Sequence, residues 1–343
     1  MQKYAILYNP AHTRISFNES LNVALKELEA GVSKLSVSVK EVKESTLAGI
    51  QYFLFTAENE LNENDILIIS RLSFTYALFK LCPESITLTP VQLNGNFFIG
   101  NDLNIILKYV GKTNELFTRL MMNLAYWFMP KGLELPKILD PLAGKGTTLY
   151  EGLMFGADVY GIEIEQKYAF EGFEFIKRYL ETTKVKHSTH TEKVSGNLPT
   201  GKFSSTRHSI KIPGKKNNTT DRHFEIISGD SRFTNTYYKK NYFDAIIADL
   251  PYGVQHGSKT TGAGNTKQSG ITRNPKSLLK ETLPEWIKVL RPNGIIILAW
   301  NLFLTSNDEI KELFNEHGIK VIDTDFKHRV DQAINRDLII GRK

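Results

Sequence analysis

Residues 136–163 read PKILDPLAGKGTTLYEGLMFGADVYGIE, and the fold turns on this stretch. PKILD is a short apolar run that ends on a carboxylate, Asp140. PLAGKG is a turn in which Gly144 and Gly146 let the backbone reverse tightly and approach a ligand closely. Thr147 opens an apolar helix, and DVYGIE is a second strand-like run ending on another acid, Glu163. Strand, glycine turn, helix and strand make one unit of a parallel sheet. In such sheets ligands sit beyond the carboxyl ends of the strands. The helix N-terminus at Thr147 offers free N–H groups and a positive partial charge there. An acid at the end of the second strand suits the two hydroxyls of a ribose, so this spacing predicts a nucleoside-containing cofactor.

The pattern continues on both sides. A helix over 115–128 precedes the glycine turn, and a helix running to Leu180 follows Glu163. Strand-like runs then appear at 224–228 (FEIIS), 243–249 (FDAIIAD), 294–300 (GIIILAW), 319–325 and 337–342, with helices over 277–290 and 308–317 between them. Continuous apolar strands alternating with helices predict an α/β doubly wound parallel sheet over 108–343. Residues 1–107 read as a small N-terminal α+β accessory domain. Its expected strands lie at 3–8, 35–42, 51–56 and 65–69, with helices over 19–28 and 73–81, and it shows no catalytic constellation.

The chain has 343 residues, enough for two domains, with 41% hydrophobic and 23% charged residues. These are ordinary globular values, which argue against a disordered chain, a collagen or a coiled coil. The one cysteine, Cys82, excludes a disulfide framework and a multi-cysteine zinc site, and is expected to pack in a core. The start, MQKYAILYNPAH, lacks the regions of a signal peptide. The longest apolar stretch, 116–129, contains Arg119 and Asn123 and is too short to span a bilayer. A soluble, cytoplasmic protein with no membrane partner is the expectation. The net charge of +6 is local: residues 184–222 hold nine Lys/Arg against Glu192 and Asp221, while the rest carries 34 basic and 35 acidic residues. This polar insertion reads as a basic flexible loop, either solvated or touching nucleic-acid phosphates. The histidines show no metal-ligand spacing, so no metal is expected.

Known nucleotide motifs narrow the cofactor. A dinucleotide fingerprint needs a third glycine where Leu149 stands. A phosphate-binding loop needs an upstream glycine where Ile106 or Leu139 stands. The deciding partner is Asp249-Leu250-Pro251-Tyr252-Gly253, at the end of a later strand of the same sheet. Alone, it could be a strand-terminating turn. At this place it suits methyl transfer to an exocyclic base nitrogen, whose lone pair is delocalised into the ring. The Asp249 carboxylate and the Leu250 carbonyl can accept the two N–H bonds, and Tyr252 can stack on the flat base. A cysteine-dependent attack on a ring carbon is excluded, because Cys82 lies far upstream. Beyond Tyr252, residues 253–275 are glycine-rich and basic, and are expected to form a substrate-contacting lid.

DPLAGKGT and DLPYG together resemble the class I S-adenosylmethionine-dependent methyltransferases that act on amino groups. YVGKTNELFTRLMMNLA, GIEIEQKYAFEGFEF and FKHRVDQAINRDLIIGRK are similar to the tRNA guanine N2-methyltransferases that modify position 10. The likeness covers Tyr109 to Lys343 apart from the basic insertion, and extends more faintly to YAILYNPAHTRISFNESLNVAL and DILIISRLSFTYALFKL. It implies a Rossmann-like seven-stranded sheet with an antiparallel last strand. It also implies S-adenosylmethionine as cofactor, RNA (tRNA) as partner and an exocyclic base amine, guanine N2, as target. By the same resemblance Asp140, Ala143, Gly144 and Gly146 would line the methionine and ribose side, and Glu163, or alternatively Glu165, would hold the ribose hydroxyls. Asp230, in SGDSRF, would bond the adenine amino group or simply cap a helix. Thr113 and Asn114 would close the site or serve the local backbone. The family usually has proline where Leu250 stands, and the first 107 residues are short for the family's RNA-binding THUMP domain. Two other readings stay open: a DNA amino-methyltransferase acting on adenine N6 or cytosine N4, and a non-catalytic nucleic-acid-binding partner. A small zinc-binding activator subunit serves some relatives, and neither that nor the oligomeric state is legible in the sequence.

Overall fold

The computed structural model describes residues 1–9, 17–106, 114–133, 135–198, 201–214, 220–252 and 274–343. The apolar residues of β1 (Gln2–Tyr8) seat it at the centre of a five-stranded antiparallel sheet. The order is β2 (Val39–Leu47), β3 (Ile50–Ala57), β1, β4 (Thr75–Cys82) and β5 (Thr87–Val91). Helices α1 (Phe17–Val32) and α2 (Glu63–Arg71) pack on it, with Leu28 and Ile69 meeting Ile6, Phe53 and Phe55 in one core.

Three local expectations are reversed here. Residues 65–69 are helical, because Asn62 and Asp65 form a reciprocal capping box that satisfies the free N–H groups of α2. Residues 75–82 are a strand, not a helix, since pairing with β1 and β5 outweighs their helical spacing. Cys82, at the end of that strand, is exposed and not packed.

The second half begins with α3 (Leu103–Ile106) and α4 (Glu115–Phe128) and continues through β6 (Lys137–Asp140), α5 (Thr147–Met154), β7 (Asp158–Glu163) and α6 (Gln166–Thr182). Next come β8 (Ser188–Leu198), β9 (Gly201–Ile212), β10 (Arg222–Ser228), a 3₁₀ turn at Ser231–Phe233, α7 (Thr234–Tyr237) and β11 (Phe243–Asp249). The chain closes with α8 (Pro275–Val289), β12 (Leu290–Asn301), α9 (Asn307–Glu316), β13 (Lys320–Ile322), β14 (His328–Arg329) and β15 (Asn335–Arg342).

These strands form one sheet in the order β13-β15-β12-β11-β6-β7-β10-β9-β8, with β14 paired to β15. Strands β10, β7, β6, β11 and β12 run parallel, and β15 is antiparallel to β12. The mixed α/β, Rossmann-like architecture follows from the burial of both faces. Ala245 and Ile247 of β11 enter the core on one side, and Ile246 and Ala248 enter the core on the other.

Among the described residues the sheet has ten strands where seven were expected. Besides the two-residue β14, the extra strands come from the basic insertion, which is largely not a loop. Residues 188–212 fold into a hairpin whose second strand pairs antiparallel with β10 from Arg222 to Ser228. Its composition is polar because one of its strands is solvated on both faces, yet Ile210 and Ile212 anchor the other strand in the core. Among the described residues, no helix is long and apolar enough to cross a membrane.

Candidate active site

The chain leaves β6 in one direction to build β7 and β10, then returns to the other side of β6 to build β11 and β12. That reversal opens a crevice at the carboxyl ends of β6 and β11, where open α/β sheets place ligands. Asp140 and Asp249 are the last residues of these two strands.

Asp140 is buried, and its carboxylate accepts the N–H of Leu142 at 3.0 Å. Burial first, with the nearby Asp249 and Glu163 charges adding to it, pushes its pKa up to about 7, against the lowering effect of Thr148 and the Leu142 N–H. The turn that follows is held by Ala143 N–H to the Ile162 carbonyl at 2.9 Å and Gly146 N–H to the Ala143 carbonyl at 2.7 Å. Gly144 and Gly146 have φ of +54° and +94°, a region that side chains disfavour. A Cβ on Gly146 would also lie 3.1 Å from the Tyr150 ring.

Glu163, closing β7, accepts the Gly144 N–H on one oxygen and the Glu165 N–H on the other, each at 2.8 Å. Burial raises its pKa above the usual range. Glu165 stands outside as the cap residue of α6.

Asp230 combines the two roles left open for it. It caps the 3₁₀ turn by accepting the Arg232 N–H at 2.9 Å, and it lines the cavity. The Arg232 guanidinium grips the same carboxylate, with Nη2 at 2.6 Å, and also reaches Glu281 at 3.2 Å. Asp230 N–H in turn donates to the Tyr237 hydroxyl at 3.1 Å.

A cavity of about 370 Å³ brings Glu163, Asp230, Asp249 and Pro251 together, with Ile164 and Leu278 as apolar neighbours. Asp140, Ala143, Gly144 and Gly146 do not line it; they form the turn at its edge. Asn114 caps α4 by accepting the N–H groups of Leu116 and Phe117, which supports the local backbone role. Thr113, His256 and the glycine-rich stretch 253–273 lie outside the described residues.

Tyr252 donates its hydroxyl to Asp249. Burial and the Asp249 charge push the phenol pKa well up, and Arg336 opposes this. Leu250 continues the ladder through its N–H to the Ala299 carbonyl at 2.8 Å, and its side chain is buried in the core.

Sequence reading missed Arg336. It is 5% exposed, and its guanidinium lies 4.2 Å from the Phe117 ring centroid and 5.1 Å from that of Tyr252. Its rings come from α4 and from the loop after β11, so no local pattern marks it. Arg232 was missed although its main partner, Asp230, lies two residues away, because the SGDSRF stretch was read for its acid alone. Among the described residues no cluster of His, Cys, Asp or Glu is arranged to hold a metal ion.

No protein-family model matches the chain. A tRNA (guanine(10)-N(2))-methyltransferase from Bos taurus is 24% identical over 140 residues, covering 41% of this chain and 26% of that protein. A tRNA (guanine(6)-N2)-methyltransferase from Methanocaldococcus jannaschii is 26% identical over 195 residues, 52% of this chain and 45% of that one. The chain is similar to class I S-adenosylmethionine-dependent RNA methyltransferases. It spans less than half the length of these curated relatives. Among solved structures, an rRNA methylase from Streptococcus thermophilus overlays with a TM-score of 0.38 at 9% identity, covering 68% of this chain and 98% of that one. Magnesium protoporphyrin IX methyltransferase from Synechocystis with bound SAM gives 0.39 at 11% identity, covering 71% and 90%. At such scores the likeness is partial.

Proposed function

We propose that the protein transfers a methyl group from S-adenosylmethionine to an exocyclic amine of an RNA base, with guanine N2 of tRNA as the target. The observation that carries this reading is that Asp249 and Pro251 line one cavity with Glu163 and Asp230, while Tyr252 is hydrogen-bonded to Asp249. The named tRNA guanine N2-methyltransferase relatives support the choice of base and of RNA.

The residues present fit the cofactor. Glu163 would accept the ribose hydroxyls, Asp230 the adenine amino group, and Ile164 and Leu278 would lie against the heterocycle. Glu281 gives the Arg232 guanidinium a second acceptor when Asp230 engages a ligand amine. The buried acids of the crevice favour a cationic ligand, because each is costly to ionise without one. When bound, the cofactor supplies a methyl group on a positively charged sulfur.

The chain's own residues do the rest by positioning. Asp249 accepts an N–H of the base amine and draws its lone pair out of the ring. The Leu250 carbonyl accepts the second N–H, and the Tyr252 ring stacks on the base. Asp249 is also placed to take the proton released after transfer, passing it to water.

The test is methyl transfer from labelled cofactor to unmodified tRNA, rRNA and DNA in parallel, followed by nucleoside mass spectrometry. N2-methylguanosine in tRNA is the expected product. Label confined to DNA as N6-methyladenine or N4-methylcytosine would replace this reading with the DNA alternative. Cofactor binding with no label in any of the three would leave a non-catalytic binder or a missing activator subunit.

A further inference from the structure

Strands β8 and β9 do not stop where β10 stops. Ser228 ends β10, pairs with Thr206 of β9, and Thr206 pairs with Lys193 of β8. Residues 194–198 and 201–205 therefore stand beyond the carboxyl end of β10, on the edge of the sheet that carries Glu163, Asp230 and Asp249. At about 3.3 Å per residue, the five residues from Thr206 back to Gly201 extend roughly 17 Å past that edge.

The arm is fixed at its root. Val194 and Phe203 pack against the core beside α7, and the Phe203 ring meets Tyr237 edge-on at 5.6 Å. Tyr237 is the residue whose hydroxyl accepts the Asp230 N–H. Contact along the arm is thus tied mechanically to the loop that lines the cavity.

One face of the arm is rich in hydrogen-bonding groups. Thr189, Thr191, Lys193 and Ser195 alternate along β8 and are exposed. Across the pair, Lys193 donates to Thr206 at 3.2 Å, and Thr191 contacts His208 at 3.0 Å. His208 stacks on Phe173 of α6 at 4.8 Å, so this face looks towards that helix. At the start of the helix Phe170 is 49% exposed, with its ring 5.8 Å from His208.

The charge balance selects the occupant. Both acids of the insertion are already engaged, Glu192 by Arg207 at 3.1 Å and Asp221 by Lys211 at 2.8 Å. Within the hairpin, residues 188–212, four basic residues stand against one acid, Glu192. A polar, hydroxyl- and lysine-bearing strand has little apolar area to bury against a protein, but it matches the sugar-phosphate backbone of a nucleic acid. An exposed ring next to it can stack on an unpaired base.

We propose that the β8–β9 arm, with Phe170, is a docking platform for the RNA that presents its base to the cavity. The proposal rests on the RNA-methyltransferase reading and adds the surface that recognises RNA outside the active site.

The test measures fluorescence anisotropy of an unmodified tRNA transcript binding to the full chain over a range of salt concentrations, with cofactor binding by calorimetry on the same samples. In the variant Lys193→Gln, the exposed lysine of β8 loses its charge. RNA affinity should fall about 3-fold at about 0.1 M salt, and the salt slope should decrease by about one, with cofactor affinity unchanged. Phe170→Ala should weaken RNA binding about 5-fold or more without altering the salt slope. Wild-type RNA affinity and slope in both variants would overturn the platform. So would a wild-type protein that binds no RNA, or a change of oligomeric state in the lysine variant, which would place a second copy on the arm. If the wild type methylates RNA while the variants bind it normally, the platform fails alone. If the variants lose RNA affinity as stated but no methyl transfer occurs, the catalytic reading fails and the platform stands.

Discussion

Tyr252 is held from both ends, its hydroxyl by Asp249 and its ring beside the Arg336 guanidinium, which Phe117 backs on the other side. Arg336 stands against the Tyr252 ring and does not line the cavity, so it acts as a positioning residue. Arg336→Met should reduce turnover by up to about 10²-fold while leaving cofactor affinity within a few-fold, with Arg336→Lys in between. An equal loss of cofactor affinity would show that the arginine merely supports the fold. Asp140 gives a pH dependence. Its carboxyl is neutral below about pH 7 in the ligand-free protein. A cationic ligand favours the ionised form, so cofactor affinity should rise as pH increases through 7, with proton release on binding. Calorimetry in buffers of different ionisation enthalpy measures this directly, and Asp140→Asn should remove the Asp140 share of it, leaving that of Glu163. Asp140, Glu163 and Asp249 were legible in the sequence because each ends an apolar run. Arg336 was not, because rings distant in the chain define it; Arg232 was not, although its main partner Asp230 lies two residues away.

At the scale of elements, the strongly patterned segments of the second sheet read correctly, since a strand buried on both faces can hardly be anything but apolar. The first sheet was harder. DILII and TYALF are both short apolar runs, and periodicity alone cannot separate helix from strand at that length. The Asn62–Asp65 capping box was the sequence signal that decides α2. The hairpin was hidden by its own composition, because an edge strand solvated on both sides looks like a loop. Where elements meet, a buried carboxylate joins α1 to α4. One Glu27 oxygen accepts the Ser73 N–H at 3.0 Å and the Asn123 amide at 2.8 Å, and the other faces the Ser73 hydroxyl. Burial pushes its pKa from 4.5 up to about 7. The folded protein therefore keeps a proton that the unfolded chain has lost between those values. This contribution is complete below about pH 4.5 and is lost as pH rises through 7, on the order of 3 kcal/mol in all. Glu27→Gln, whose amide can donate to the Ser73 hydroxyl, should be more stable than wild type at pH 8 and show a flatter stability profile by urea denaturation. An unchanged profile would mean that Glu27 is ionised in the folded state.

For the whole molecule, the strand order does the functional work. Reversal of the chain at β6 brings Asp249 beside a cavity whose other walls come from the ends of β7 and β10, and the hairpin extends the same edge outward. The alternation of strands and helices made the sheet legible from sequence, whereas the placement of the insertion on its rim required the pairing register. In this arrangement the proposed cofactor pocket and the proposed amine-activating group are separable, because Asp249 reaches the cavity from a strand that makes none of the contacts assigned to ribose or adenine. Single-turnover methyl transfer by wild type and Asp249→Asn, at saturating cofactor with unmodified tRNA, measures that separation, with cofactor affinity determined on the same preparations. The expected result is a loss of about 10²-fold or more in rate with cofactor affinity within a few-fold of wild type. An unchanged rate would contradict the role given to Asp249, and a loss of cofactor affinity that accounts for the whole loss of rate would reduce it to part of the pocket wall.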